Sequence, residues 1–228
     1  LKFLSFDTST EFCSAALWLD GRFLSRECMA GNRHSELLLP MVRELLAEAD
    51  LSLGQLDGIA YGMGPGSFTG LRIGCGIAQG LALGADLPVV GVVTLEAMAW
   101  QAGGEQVIVC LDARMHEVYY AAYRRLGDKL EAVLAPCVCK PQAVPMPEGD
   151  GWQAGGSGFA AYPEVLTARL RTQIQGIVPE LWPHALAVAE LALLRFKGGE
   201  ARPADLAEPY YVRDKVALTT RERREAAQ

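Results

Sequence analysis

Phe3-Leu4-Ser5-Phe6-Asp7-Thr8-Ser9-Thr10-Glu11-Phe12-Cys13-Ser14-Ala15-Ala16-Leu17 opens the chain. Val107-Ile108-Val109-Cys110-Leu111-Asp112-Ala113-Arg114-Met115-His116-Glu117-Val118-Tyr119-Tyr120-Ala121-Ala122-Tyr123 repeats its pattern in the second half. Each stretch reads as an apolar strand ending in Asp, a four-residue polar turn, and a second strand of small, aromatic and aliphatic residues. A third strand-like run follows each, Arg22 to Met29 and Lys129 to Cys139. A duplicated hairpin of this kind predicts two related α/β lobes. Duplicated folds of this type hold nucleotide phosphates between their lobes, which raises the question of whether this chain kept that chemistry.

Outward from the hairpins, apolar residues Leu38, Met41, Val42, Leu45, Leu46 and Ala49 recur at helical spacing and predict a helix over 34–49. Pro40 has no N–H, so a kink or a late start is expected there. A short strand at 57–61 runs into Gly62-Met63-Gly64-Pro65-Gly66-Ser67-Phe68-Thr69-Gly70, followed by a helix over 69–84. That helix carries Gly70, Gly74, Gly76, Gly80 and Gly84, each costing about 1 kcal/mol against Ala. Close approach of another element is the expected compensation. Residues 89–93 read as a buried strand and 94–101 as a helix. The second lobe opens with strands at 106–112, 117–125 and 129–139. The Pro- and Gly-rich stretch 140–159 reads as loop, with helices at 161–171 and 184–197. The expected division is an N-terminal lobe over 1–103 and a C-terminal lobe over 104–183. Residues 184–213 should pack back at the lobe junction, and 214–228 form a mobile tail.

Composition narrows the class. The chain has 228 residues, half of them hydrophobic and 21% charged, as in ordinary globular proteins. Its longest apolar run, Ile73 to Leu83, is too short to span a bilayer. No leader is read ahead of the first strand, so a cytoplasmic protein without membrane attachment is expected. The net charge of −6 argues against a chain that grips nucleic acid alone. The basic cluster Arg221, Arg223 and Arg224 is interleaved with Glu222 and Glu225 and reads as a solvated tail, with contact to a polyanion as the alternative. Six cysteines, Cys13, Cys28, Cys75, Cys110, Cys137 and Cys139, form no C-x-x-C pair and read as reduced, buried thiols. Cys137 and Cys139 are expected on opposite faces of their strand, a poor chelate.

The inventory of reactive groups is sparse. The Gly-rich segment lacks the Lys and hydroxyl of a P-loop, and its glycines do not fit G-x-G-x-x-G. The turns after Asp7 and Asp112 lack the glycine that lets a backbone cradle phosphate. Asp7, Thr8 and Ser9 remain the candidates for touching a nucleotide. His34, His116 and His184 fall on separate elements and predict no metal site. Ser9, Ser67 and Ser157 lie in turns without a nucleophile elbow. Gly155-Gly156-Ser157-Gly158 reads as a loop. No catalytic residue is assigned.

Together, several motifs resemble the TsaB family, a bacterial subunit of the tRNA threonylcarbamoyladenosine synthesis machinery. They are Phe6-Asp7-Thr8-Ser9, Arg33-His34-Ser35-Glu36-Leu37-Leu38-Leu39-Pro40, Gly64-Pro65-Gly66-Ser67-Phe68-Thr69-Gly70-Leu71-Arg72, Asp112-Ala113-Arg114 with Glu117-Val118-Tyr119, and Pro209-Tyr210-Tyr211-Val212-Arg213. The resemblance spans about residues 2–213. It implies two RNase H-like lobes of the actin-like ATPase fold, a catalytic paralogue TsaD and an ATPase TsaE. It implies no tightly bound cofactor, ATP or ADP only in the complex with TsaD, and tRNA contact only through that complex. TsaD carries a metal-binding His-x-x-x-His where this chain is read to have Thr94 and Met98, neither suited to a hard metal. A non-catalytic scaffold is therefore expected over an active metallopeptidase-like enzyme or a small-molecule kinase. The expected partner surface, a homodimer face exchanged for TsaD, comprises His34, Leu38, Met41, Leu45, Gly70, Arg72, Gly74 and Gly80.

Overall fold

A computed structural model describes residues 1–213 of the chain; the tail expected at 214–228 lies outside the described residues. The first sheet contains β1 (Lys2–Asp7), β2 (Phe12–Leu19), β3 (Arg22–Met29), β4 (Gly58–Gly64) and β5 (Val89–Val93). Its order is β3-β2-β1-β4-β5, with β1, β2 and β3 antiparallel and β1, β4 and β5 parallel. The second contains β6 (Gln106–Asp112), β7 (Val118–Leu126), β8 (Lys129–Cys139), β9 (Trp152–Gly155) and β10 (Ile174–Val178). It repeats the topology in the order β10-β9-β6-β7-β8. This is the RNase H-like sheet twice over, the actin-like ATPase architecture.

Alternation along each central strand feeds two cores. Leu4 and Phe6 of β1 face α1 (His34–Glu48) and α2 (Phe68–Ala85), where they meet Leu38, Leu45, Cys75 and Ala78. Phe3, one residue out of phase, faces α6 (Ala185–Lys197) and packs with Val188, Leu191 and Ala192. In β6, Val107, Val109 and Leu111 face α3 (Thr94–Ala102) through Leu95, Met98 and Ala99. Ile108 and Cys110 face the layer of α4 (Ser157–Ala161) and α5 (Pro163–Arg169), packing with Phe159 and Leu166. The two lobes exchange helices. α3 follows the first sheet but covers the second, and α6 follows the second sheet but covers the first. Polar contacts seat α6: Ser5 Oγ donates to Ala185 O (2.9 Å), and Ala185 N donates to Ser14 Oγ (2.9 Å).

Four local expectations are corrected. α1 starts at His34 and runs through Pro40. The bond that Pro40 omits would reach the Glu36 carbonyl in the first turn, at a residue exposed to solvent, so the missing donor leaves no buried acceptor unpaired. Residues 140–159 hold β9 and the start of α4, and β10 lies beyond them. A buried parallel strand of four residues has no polar alternation to reveal it. The helix expected at 161–171 is the shorter α5, and a separate α4 precedes it, the two parted at Tyr162 ahead of Pro163. Cys137 and Cys139 lie on one face, packed against the α4–α5 layer, while Val138 packs with the α3 layer. Residues two apart in a strand share a face, so the opposite assignment was in error. Among the described residues, no helix is long and apolar enough to cross a membrane.

Candidate functional site

The two Asp turns face each other across the interlobe cleft. Asp7 closes β1 with its carboxylate wholly buried. Its Oδ1 accepts from Ser9 N (2.8 Å) and Ser9 Oγ (2.6 Å), and its Oδ2 from Thr94 Oγ1 (3.4 Å). Burial raises the Asp7 pKa to about 6, opposed by the Ser9 and Thr94 hydrogen bonds and by the charge of His184. The segment leading into α2 wraps the turn. Ser67 N donates to Ser9 O (2.7 Å), and Thr8 Oγ1 donates to Gly70 O (2.8 Å).

Glycines make this wrap feasible. A Cβ on Gly62 would stand 1.8 Å from Asp7 Oδ2, one on Gly66 2.3 Å from Ser9 O, and one on Gly70 2.0 Å from Thr8 O. On Gly74 it would meet Thr8 Oγ1 at 2.5 Å, whereas Gly76, Gly80 and Gly84 open to free space. The compensation anticipated for the glycine-studded helix is thus an intramolecular contact at its first half only.

Asp112 closes β6 by the same local device: its Oδ1 accepts from Arg114 N (3.0 Å), two residues on. Its backbone N donates to Ser157 Oγ (3.1 Å) and Tyr162 Oη reaches Oδ1 (3.5 Å). The Gly-rich run after β9 backs this strand end, since a Cβ on Gly156 would lie 2.4 Å from Cys110 O. Unlike the first turn, the second stands open. Arg114, Met115 and His116 all have positive φ (59°, 54° and 60°) and are exposed. The Arg114 guanidinium pairs with Glu11 of the first turn.

Between the turns lies a cleft of about 630 Å³ whose walls include Ser9, Ser67, Phe68, Arg114, Tyr119 and Trp182. The segment after α6 threads it. Tyr210 N donates to Met63 O (2.7 Å), Arg72 Nε donates to Tyr211 Oη (3.0 Å), and Arg213 pairs with Glu117. Tyr211 and Arg213 therefore tie the two lobes together. Their motif was visible in the sequence, but its route across the cleft has no local signature.

Of the residues singled out from sequence, Asp7, Thr8 and Ser9 converge in one turn. His34, Leu38 and Leu45 do not form a surface: all three are buried, because the apolar stripe of α1 faces the first sheet. Met41 is partly buried against the same core. Gly70 and Gly74 face Thr8 and are likewise corrected as contact residues. Arg72 is exposed, stacked on Phe68 at 3.7 Å, and Gly80 is open. His184 caps α6, its Nδ1 accepting from Leu186 N (3.1 Å), while its Nε2 meets Glu27. His116 is exposed on the second turn. Thr94 and Met98 are wholly buried, Thr94 between Asp7 and the Gly64 N–H, and Met98 in the α3-side core. Among the described residues, no three His, Cys, Asp or Glu side chains gather to hold a metal ion.

Fold and site define a protein of the actin-like ATPase fold in which the first Asp turn is packed by the chain's own residues. A family profile described as "TsaD: tRNA N6-adenosine threonylcarbamoyltransferase" matches residues 28–163. The tRNA threonylcarbamoyladenosine biosynthesis protein TsaB of Escherichia coli is 40% identical over 227 residues, covering 95% of this chain and 96% of that one. The protein of that name from Haemophilus influenzae is 38% identical over 229 residues, covering 95% of each. The structure "YeaZ from Pseudomonas aeruginosa" superposes with a TM-score of 0.84 at 38% identity, covering 92% of this chain and 99% of that one. The chain belongs to the TsaB family.

Proposed function

We propose that the chain takes part in tRNA threonylcarbamoyladenosine synthesis as a non-catalytic subunit that binds and supports a catalytic TsaD, together with the ATPase TsaE. The observation that carries this reading is the fate of Thr94 and Met98. The resemblance sets these two positions against the metal-binding histidine pair of TsaD. Here one hydroxyl bonds the buried Asp7 carboxylate and the thioether fills the α3-side core. Both positions serve packing, so the chain contributes shape and not a Lewis acid.

The partner surface is the outer face of α1 and α2. Leu39 and Leu83 are exposed there (44% and 65%), beside the open glycines Gly76, Gly80 and Gly84. Glycines spaced four apart let a second helix approach closely. The pair of helices forms a homodimer in isolation and exchanges for the related helices of TsaD, a self-complementary contact that a paralogue shares. ATP or ADP enters only in that complex, and tRNA is reached through it, in the cytoplasm. Native mass measurement after mixing the chain with TsaD from the same source tests the reading. A heterodimer replacing the homodimer is the expected result, and two species that never mix overturn it. Gly80→Leu should weaken both dimers without unfolding the chain.

A further inference from the structure

After α6 the chain runs back over the first lobe and then steps onto the second. At the β5 edge, Val89 and Arg202 exchange backbone hydrogen bonds (2.8 and 2.9 Å). Gln79 Nε2 of α2 donates to Ala207 O (2.9 Å). The Tyr61 hydroxyl donates to Glu208 O (3.0 Å) and accepts from Glu208 N (2.9 Å). Tyr210 N reaches Met63 O, and the Tyr211 ring lies 5.6 Å from Phe68 with its hydroxyl on Arg72. All of these partners belong to the first lobe. Val212 and Arg213 then leave it. Val212 packs against the α3-side core of the second sheet, and Arg213 pairs with Glu117 at the end of the open Asp turn.

The two grips are unequal. On the first lobe the hold is spread along the segment from Arg202 to Tyr211. On the second it comes down to Val212 and one ion pair, in which the Arg213 side chain is 15% exposed and its guanidinium lies 5.8 Å from the Tyr119 ring. The Arg114 to Glu11 pair also spans the cleft, but it is far more exposed and holds little. The lobes are joined as well through α3 and α6, the helices that they exchange.

We propose that residues 208–213 form a releasable latch that holds the interlobe cleft closed, with Val212 and Arg213 as its catch on the second lobe. On release, the segment stays bound to the first lobe through Tyr61, Met63 and Arg72. The second lobe then swings about the α3 and α6 layer, and the cleft widens. The catch sits on a turn suited to such a change. Glu117 follows three consecutive residues at positive φ, a costly backbone that its surroundings hold in place, and the Arg213 pair is one of those holds. Access to the cleft is thereby set by the chain itself.

Pulsed electron resonance on the full chain tests this, with genetically encoded spin labels at Asn32 and Glu164. Asn32 lines the cleft from the first lobe, and Glu164 lies two residues past Tyr162, whose hydroxyl reaches Asp112 on the second. Dilution into unlabelled chain keeps the measured distances within one molecule. Wild type should give a single distance. Arg213→Ala and Glu117→Ala should each add a longer one, its population at least ~10-fold above wild type. The double variant should open no further than either single one, because both remove the same catch. Amide exchange along β6 and β7 should stay as in wild type, which separates opening from unfolding of the second lobe. An unchanged distance in both single variants, a double variant that opens by the sum of the two, or faster exchange throughout β6 and β7 would each overturn the proposal.

Discussion

The two Asp turns share one local design and opposite surroundings. In both, the carboxylate accepts from the backbone N–H two residues on. The first is sealed: Asp7, Thr8 and Ser9 are buried beneath the Gly62 to Gly74 segment. The second is open, with three consecutive exposed residues at positive φ and an arginine reaching across the cleft. Duplication preserved the hairpin, while the neighbours decided its role. In the first lobe a glycine-rich helix entry lies on the turn; in the second the glycines of residues 155–158 support the strand end behind it.

The glycine contacts should give the largest effects. Gly62→Ala and Gly70→Ala push a methyl into Asp7 Oδ2 and the Thr8 carbonyl, and urea denaturation should show a loss of about 3 kcal/mol for each. On the same helix, Gly76→Ala and Gly80→Ala meet nothing and should gain about 1 kcal/mol. Equal behaviour of the two groups would mean that α2 does not clasp the first turn.

Asp7→Asn probes the sealed turn next. A folded pKa raised from 3.8 to about 6 means that the folded state keeps its proton after the unfolded chain has lost it. Wild-type stability from this group is complete below pH 3.8 and is lost as pH rises through about 6. Asparagine keeps the hydrogen-bonding shape without the charge. The variant should therefore exceed wild type by about 2–3 kcal/mol at pH 7.5, with the gain vanishing near pH 4. Asp112→Asn in the open turn should change stability by under about 1 kcal/mol at either pH. Smallest of all, Arg114→Ala removes an ion pair whose arginine is 73% exposed, and should cost under about 1 kcal/mol, falling further in high salt.

The two-lobed plan was legible because β1–β2 and β6–β7 alternate and end in matching Asp turns. α1 was legible from its periodicity and α2 from its place after the glycine-rich turn, though the periodicity of α1 alone misread the direction it faces. Leu38 and Leu45 form a stripe that suits a core or an interface equally, and only the position of the first sheet decides. Gly70 and Gly74 announced a close approach without naming Thr8, which is far away in sequence. β9 was hidden because a short buried strand among glycines has neither alternation nor length, and β10 because a five-residue, mostly exposed edge strand shows no apolar face. The route of Tyr210 to Arg213 is a tertiary fact, set by partners such as Met63, Arg72 and Glu117.

The proposed non-catalytic role is tested most directly by reconstituting tRNA threonylcarbamoylation with TsaD, TsaE and either this chain or its Asp7→Asn variant. If the first turn is packing, the variant binds TsaD as tightly as wild type and supports the same rate of modified tRNA formation. A variant that still assembles with TsaD yet loses modification ~100-fold or more would place Asp7 in the chemistry and contradict the assignment.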